Sequence, residues 1–183
     1  MQPTAENWNA CINRTIQLDT KLTARPEGAG VLVREYGAEI ENDGTGAIKL
    51  KRAAGAGEGL WVPYAETKAT VGYPAGGQIW VGSGPFSGCE FSVGRAGGRV
   101  YAAHIARQSG STALADWDAY VKANDLKVWY QNKIPLPSES FYACSYVFAT
   151  FANDGLRSLV RVDVKVSAMG GSDGTIFNVK AFK

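Results

Sequence analysis

The chain has one histidine, three cysteines and two methionines among 183 residues. One imidazole cannot build an ordinary structural zinc site, and Cys11, Cys89 and Cys144 lack metal-ligand spacing, so no metal is expected. No stretch approaches the roughly 20 apolar residues that cross a bilayer, so a water-soluble chain with no membrane partner is expected. An excess of one charge is missing as well. Nineteen basic against 17 acidic residues leave a net charge of +2, interspersed along the chain, which argues against nucleic acid as a partner. The segment Met1 to Glu6 lacks the basic-then-apolar pattern of a secretory signal, so export would need another route. Internal repeats and low-complexity segments are absent. The odd cysteine count leaves at least one thiol free even if Cys11 and Cys144 pair in a disulfide.

What is present is a globular composition, 45% hydrophobic and 11% aromatic with 22 glycines, on a length that suits one domain over residues 1–183. Thr4 can cap a short helix through Trp8, Cys11 and Ile12. Alternating runs follow at Ile16 to Leu22, Val31 to Val33 and Glu39 to Glu41. The turn signal Asn42-Asp43-Gly44-Thr45-Gly46 then sets up a hairpin with Ala47 to Lys51. Ser111 or Thr112 starts a second helix that runs to Asn124 with Trp117 on its buried side. Strand composition recurs at Lys127 to Asn132, Tyr142 to Phe151, Leu159 to Val166 and Thr175 to Phe182. In the third of these the valines share one face and Arg161, Asp163 and Lys165 the other, the pattern of a strand with one wet side. Around ten strands with about two flanking helices predict an α+β domain built on an antiparallel-rich β-sandwich.

The chemistry concentrates between Pro85 and Ile105. Cys89 heads one alternating segment, and His104 closes the next one after the turn at Gly94 to Gly98. A hairpin brings such positions together, giving a thiol beside an imidazole. An imidazole that takes the thiol proton turns a weak nucleophile into a thiolate able to attack carbonyl carbons. Ser87 and Gly88 allow close backbone approach, and the Cys89 amide is a candidate oxyanion donor. Trp61 and Tyr64 flank Pro63, which suits a strand end or sheet edge, and are candidates for lining a pocket at the mouth of the site, with plain core as the other reading of Trp61, since tryptophan is heavily buried on average. Gly82 to Pro85 reads as a flexible lead into the cysteine loop.

The run Phe86-Ser87-Gly88-Cys89, with His104 fifteen residues on, resembles the Leu-Ser-Gly-Cys motif and partner histidine of the cytotoxic necrotizing factor catalytic domain, a motif shared by the Burkholderia lethal factor. Gly59-Leu60-Trp61-Val62-Pro63-Tyr64 is similar to a Leu-Trp-Leu-Pro-Trp stretch of the latter, and Gly97-Gly98 running into His104-Ile105 also matches. The likeness covers roughly residues 59–105, with Phe86 replacing the leucine of the motif. It implies a bacterial toxin-like deamidase that hydrolyses the side-chain amide of a glutamine in a host protein, without a cofactor. It also implies a main-chain carbonyl as third member of the site, for which Ser83 is the candidate from its position six residues before Cys89. Delivery into a host cell by a non-classical route, or otherwise a cytoplasmic location, and a monomeric state are the matching expectations.

Two other classes stay open at this stage. One is a different Cys–His hydrolase or acyltransferase, such as a peptidase or a transglutaminase. The other is a non-catalytic β-sandwich binding module with a buried Cys89. A protein substrate is favoured by the loops Ala53 to Gly59, Gly82 to Pro85 and Pro135 to Ser140, which are long and polar enough to form a docking rim.

Overall fold

In the computed structural model, which describes residues 1–138, 142–152, 155–166 and 173–183, alternating sequence becomes thirteen strands and two α-helices among the described residues. Thr4 accepts from the Asn7 amide and starts α1 (Ala5–Asn9), which buries Trp8. The strands are β1 (Thr15–Leu18), β2 (Val31–Val33), β3 (Tyr36–Glu41), β4 (Ile48–Arg52), β5 (Gly59–Pro63), β6 (Ala69–Gly72), β7 (Trp80–Phe86), β8 (Glu90–Ala96) and β9 (Arg99–Ile105). Then come α2 (Ala113–Ala123), β10 (Leu126–Lys133), β11 (Ala143–Ala152), β12 (Gly155–Val166) and β13 (Asp173–Ala181).

The expected β-sandwich is corrected by the pairing. Eight strands close into a barrel in the order β1-β13-β12-β11-β7-β5-β3-β4, with β4 returning to β1 in parallel register, Ile16 opposite Ile48. The other five form a mixed sheet, β10-β8-β9-β6-β2. The physical reason for the miss is that a barrel strand and a sandwich strand both bury every second residue, so local alternation is the same for both. Only the meeting of the first strand with β4 and β13 distinguishes them, and that contact leaves no local trace.

Three apolar clusters follow from this arrangement. Trp8, Ile16, Ile40, Trp61, Trp80, Phe148 and Val162 fill the barrel. The outward residues of its β5, β7, β11 and β12 wall, among them Val62, Val81, Phe86 and Val147, pack against Cys89, Phe91, Val93 and Ala102 of the sheet. The opposite face of the sheet is covered by α2 through Ala113 and Trp117, the latter against Tyr101 of β9. The molecule is therefore layered as barrel, sheet and helix, and the seam between barrel and sheet is where the site lies.

Several local expectations shift. The helix at the N-terminus stops at Asn9, and the run to Leu22 splits into β1 and a 3-10 turn at Thr20–Leu22. Gly82 to Pro85 is strand, part of β7, with no flexible lead. The outer side of β12 is wet only in part: Lys165 is exposed, but Arg161 and Asp163 are 8% and 4% exposed and bonded to each other, with Ser145 and Asn178 also donating to Asp163. Opposite charges that satisfy one another can be buried, and alternation alone cannot separate them from solvated charges. All three cysteines are buried and free, so no bond joins Cys11 to Cys144.

Candidate active site

The β8–β9 hairpin turns at Gly97-Gly98, where Gly97 takes a positive φ of 57° that a side chain would strain. Its register sets Phe91 directly opposite His104 and Glu90 opposite Ile105. Cys89, two residues before Phe91, shares its face and is the diagonal neighbour of His104, a relation that places Cβ atoms about 7 Å apart or less. Both side chains point into the seam. Their surroundings differ in one respect, because His104 is fully buried while Cys89 keeps 9% of its surface exposed.

The loop before Cys89 is held by two main-chain bonds: the Gly88 amide donates to the Ile134 carbonyl at 2.9 Å, and the Ile134 amide donates to the Cys89 carbonyl at 2.9 Å. Gly88 sits at φ 122°, a conformation that glycine adopts at little cost, so this residue shapes the loop. The tie also fixes where the thiol emerges, since it extends the pairing of β8 with β10 past the strand end.

His104 is oriented from the barrel wall. Ser83 on β7 donates its hydroxyl hydrogen to the Val62 carbonyl at 2.7 Å, and its oxygen lies 2.9 Å from His104 Nδ1. A hydroxyl has one hydrogen, so with that hydrogen spent on Val62 the Ser83 oxygen must accept from Nδ1–H. The neutral imidazole then carries its lone pair on Nε2, a buried atom without a hydrogen-bond partner. Ser83 touches His104 through its hydroxyl, where a main-chain carbonyl was expected. Phe86 stacks on the imidazole at 4.1 Å and 10°, and the Tyr64 ring flanks it at 5.3 Å and 58°, so the ring plane is held between two aromatic walls.

Burial governs the charge states at rest. It pulls the His104 pKa down to about 3 and pushes the Cys89 thiol up, the latter opposed by a hydrogen bond from the Arg107 main-chain amide. The resting pair is therefore neutral thiol and neutral imidazole. Among the described residues no group of three or more His, Cys, Asp or Glu could hold a metal ion.

Cys89 opens into a cleft of about 430 Å³ that Ser87, Gly88, Pro85 and Tyr64 also line. Of the two readings of Trp61 the core one holds: it lies fully buried inside the barrel against Tyr146 and Phe148 and does not line the cleft. Of the loops expected as a rim, Pro85 alone is in the lining, and residues 139 and 140 fall outside the described ones. The remaining lining residues are Arg25, Arg107, Gln108 and Lys133. These four residues come from three segments away from the cysteine loop in sequence, and only the fold brings them to it.

No protein-family model matches this chain, and no curated protein does. Among solved structures, the C-terminal domain of CNFy from Yersinia pseudotuberculosis is similar at 13% identity and a TM-score of 0.36, over 81% of this chain and 72% of that one. A likeness of that size carries no argument about activity. The functional reading rests on the residues of the seam.

Proposed function

We propose that the chain is a cysteine-dependent amidohydrolase that converts a protein glutamine side chain to glutamate. The observation that carries this reading is the tautomer of His104: Ser83 holds Nδ1–H, so the lone pair sits on Nε2, which has no hydrogen-bond partner, the Cys89 thiol included, while Cys89 shares the His104 face of the sheet. The likeness of Phe86-Ser87-Gly88-Cys89 and His104 to the necrotizing-factor motif supports the same chemistry and the toxin-like role.

In the reaction, Nε2 takes the thiol proton and the sulfur attacks the carboxamide carbon. The Gly88 amide is already spent on Ile134, so the Cys89 amide is the loop donor assigned to the oxyanion. The imidazolium then returns its proton to the leaving nitrogen, ammonia departs, and a thioester remains. Water, deprotonated by the same Nε2, hydrolyses that thioester to glutamate and restores the thiol. The face of Phe86 stacked on His104 favours the transient imidazolium through cation–π attraction, a role a leucine at this position could not fill.

One observation favours a second reading, in which the two residues are only packing. Both are buried in their neutral forms, and the indole nitrogens of Trp8, Trp61 and Trp80 are unpartnered as well, so an orphan Nε2 is not diagnostic on its own. Incubation with eukaryotic cell extract separates the two. Deamidation yields a protein glutamine heavier by about one dalton, the change from amide to acid, and requires Cys89. Absence of any such conversion, with Cys89 no more reactive in the wild type than in His104→Ala, would leave the packing reading standing.

A further inference from the structure

The chain as a whole is nearly balanced in charge, yet the cleft that Cys89 opens into is not. Arg25, Arg107 and Lys133 line it, and no carboxylate does among the described residues. These cations come from three places: the segment before β2, the segment after β9, and the last residue of β10. They differ in how tightly they are held. Arg107 is tied to Glu90 at 3.1 Å, and Arg25 makes an exposed pair with Glu66 at 3.4 Å while lying over the Tyr64 ring at 5.7 Å. Lys133 has no carboxylate partner among the described residues, and a Cβ built on Gly88 would touch its Cε at 3.7 Å, so its stem lies along the cysteine loop. Exposed pairs such as Arg25–Glu66 are worth little and can exchange partners on binding.

We infer that this cleft selects an anionic segment, so that the glutamine it accepts is carried on a protein loop with aspartate or glutamate beside it. The inference rests on the deamidase reading for its substrate but on the cleft alone for its charge preference. A free amino acid fits less well, because its ammonium group would meet Lys133 and two ion-paired arginines, with no carboxylate in the lining to receive it. A glutamine flanked by lysine or arginine is disfavoured for the same reason, since like charges brought together in a partly desolvated cleft repel. A loop with acidic neighbours can instead take Lys133 and displace Glu66 from Arg25, leaving the carboxamide at the Cys89 sulfur. Positive potential in a cleft also raises the local concentration of anions and their on-rates.

The charge preference is measurable without any turnover. In the intact chain, Cys89 is alkylated with iodoacetate, an anion, and with iodoacetamide, its neutral analogue, and the labelled peptide is quantified by mass spectrometry. Relative to the same ratio in the urea-unfolded chain, iodoacetate should gain about tenfold at low salt, the low end of steering effects in charged clefts, and lose most of that gain at high salt. Lys133→Glu and Arg25→Glu, both substitutions of exposed side chains, should each cut the gain. A blocked peptide with glutamine between two glutamates should also protect Cys89 from iodoacetamide better than one with glutamine between two lysines. A folded-chain ratio equal to the unfolded one at low salt, or equal protection by the two peptides, overturns the inference. Conversion of glutamine to glutamate is scored separately: a charge preference without conversion of any glutamine removes the deamidase reading and leaves the anion-selective cleft.

Discussion

The barrel interior and the seam beside it are lined by opposite faces of the same strands, and they have opposite characters. Inside, Trp8, Trp61, Trp80 and Phe148 meet ring to ring, with Trp8 and Phe148 centroids 5.0 Å apart, in a cluster of apolar side chains. In the seam, apolar residues share space with Ser83, Thr70 and His104, each held by a partner: Ser83 and Thr70 on carbonyls of β5, and His104 on Ser83. The interior is wrapped by strands on all sides, whereas the seam runs out at the Cys89 cleft. A polar group is tolerable where a facing wall supplies its bond, and useful where the space beyond it is open to a substrate.

That contrast can be broken by substitution on either side. The largest effect is expected at Cys89→Ala, which should lower deamidation by roughly 10⁴-fold or more, because nothing else in the seam can form the covalent intermediate. Thermal melting should hardly move, since little volume is lost. Wild-type turnover by this variant would end the mechanism. On the barrel side, Gly59→Ala places a Cβ 1.9 Å from the Trp80 ring, and the overpacking should cost about 3 kcal/mol in urea unfolding. Turnover per folded molecule should stay at the wild-type level. A large loss of activity without a loss of stability would show that the two regions are not separable.

Smaller effects test the supports of the imidazole. Ser83→Ala removes the acceptor that fixes the His104 tautomer, and kcat should fall roughly 10- to 100-fold, the range seen when outer partners of a functional histidine are lost. KM should hold, and Ser83→Thr, which keeps a hydroxyl, should recover part of the rate. A KM change with constant kcat would assign Ser83 to binding. A further signal is in acid. His104 titrates near pH 3 in the folded chain against about 6.5 when unfolded, so between those values the unfolded state holds one more proton. Stability should therefore rise with pH across that window by roughly 1.4 kcal/mol per unit from this residue, and be lost as pH falls. His104→Gln should flatten the slope by that amount in urea midpoints taken from pH 6 to 4. An unchanged slope would mean that the imidazole is not the buried neutral base described above.

How much of this was legible in the sequence depends on the range of the contact. The hairpin carrying Cys89 and His104 is read from Gly97-Gly98 and two alternating runs, all local signals, and only the register differs, with Phe91 rather than Cys89 directly opposite His104. Ser83 is placed by motif spacing, but the hydroxyl contact depends on β7 facing β9 across the seam. Trp61 carries two readings, pocket mouth from the edge that Pro63 suggests and core from its residue type. The structure puts β5 between β3 and β7, with the proline at the strand end, and turns the indole inward. The clustering of the cleft's cations is not legible locally, since Arg25, Arg107 and Lys133 come together only when three segments converge. Barrel closure belongs with them, because it is decided between residues at opposite ends of the chain.

That closure has a kinetic side. Thr15 pairs with Thr175 across nearly the whole chain, and contacts of such separation form slowly because a long loop must be ordered before they repay it. The β8–β9 hairpin needs no such wait, so thiol and imidazole can meet early in folding. Ser83 reaches them only when β7 is set between β5 and β11. Contacts formed in that order bring the candidate pair together with its imidazole free to take either tautomer, and Ser83 fixes the ring only with the long-range pairing, after the hairpin.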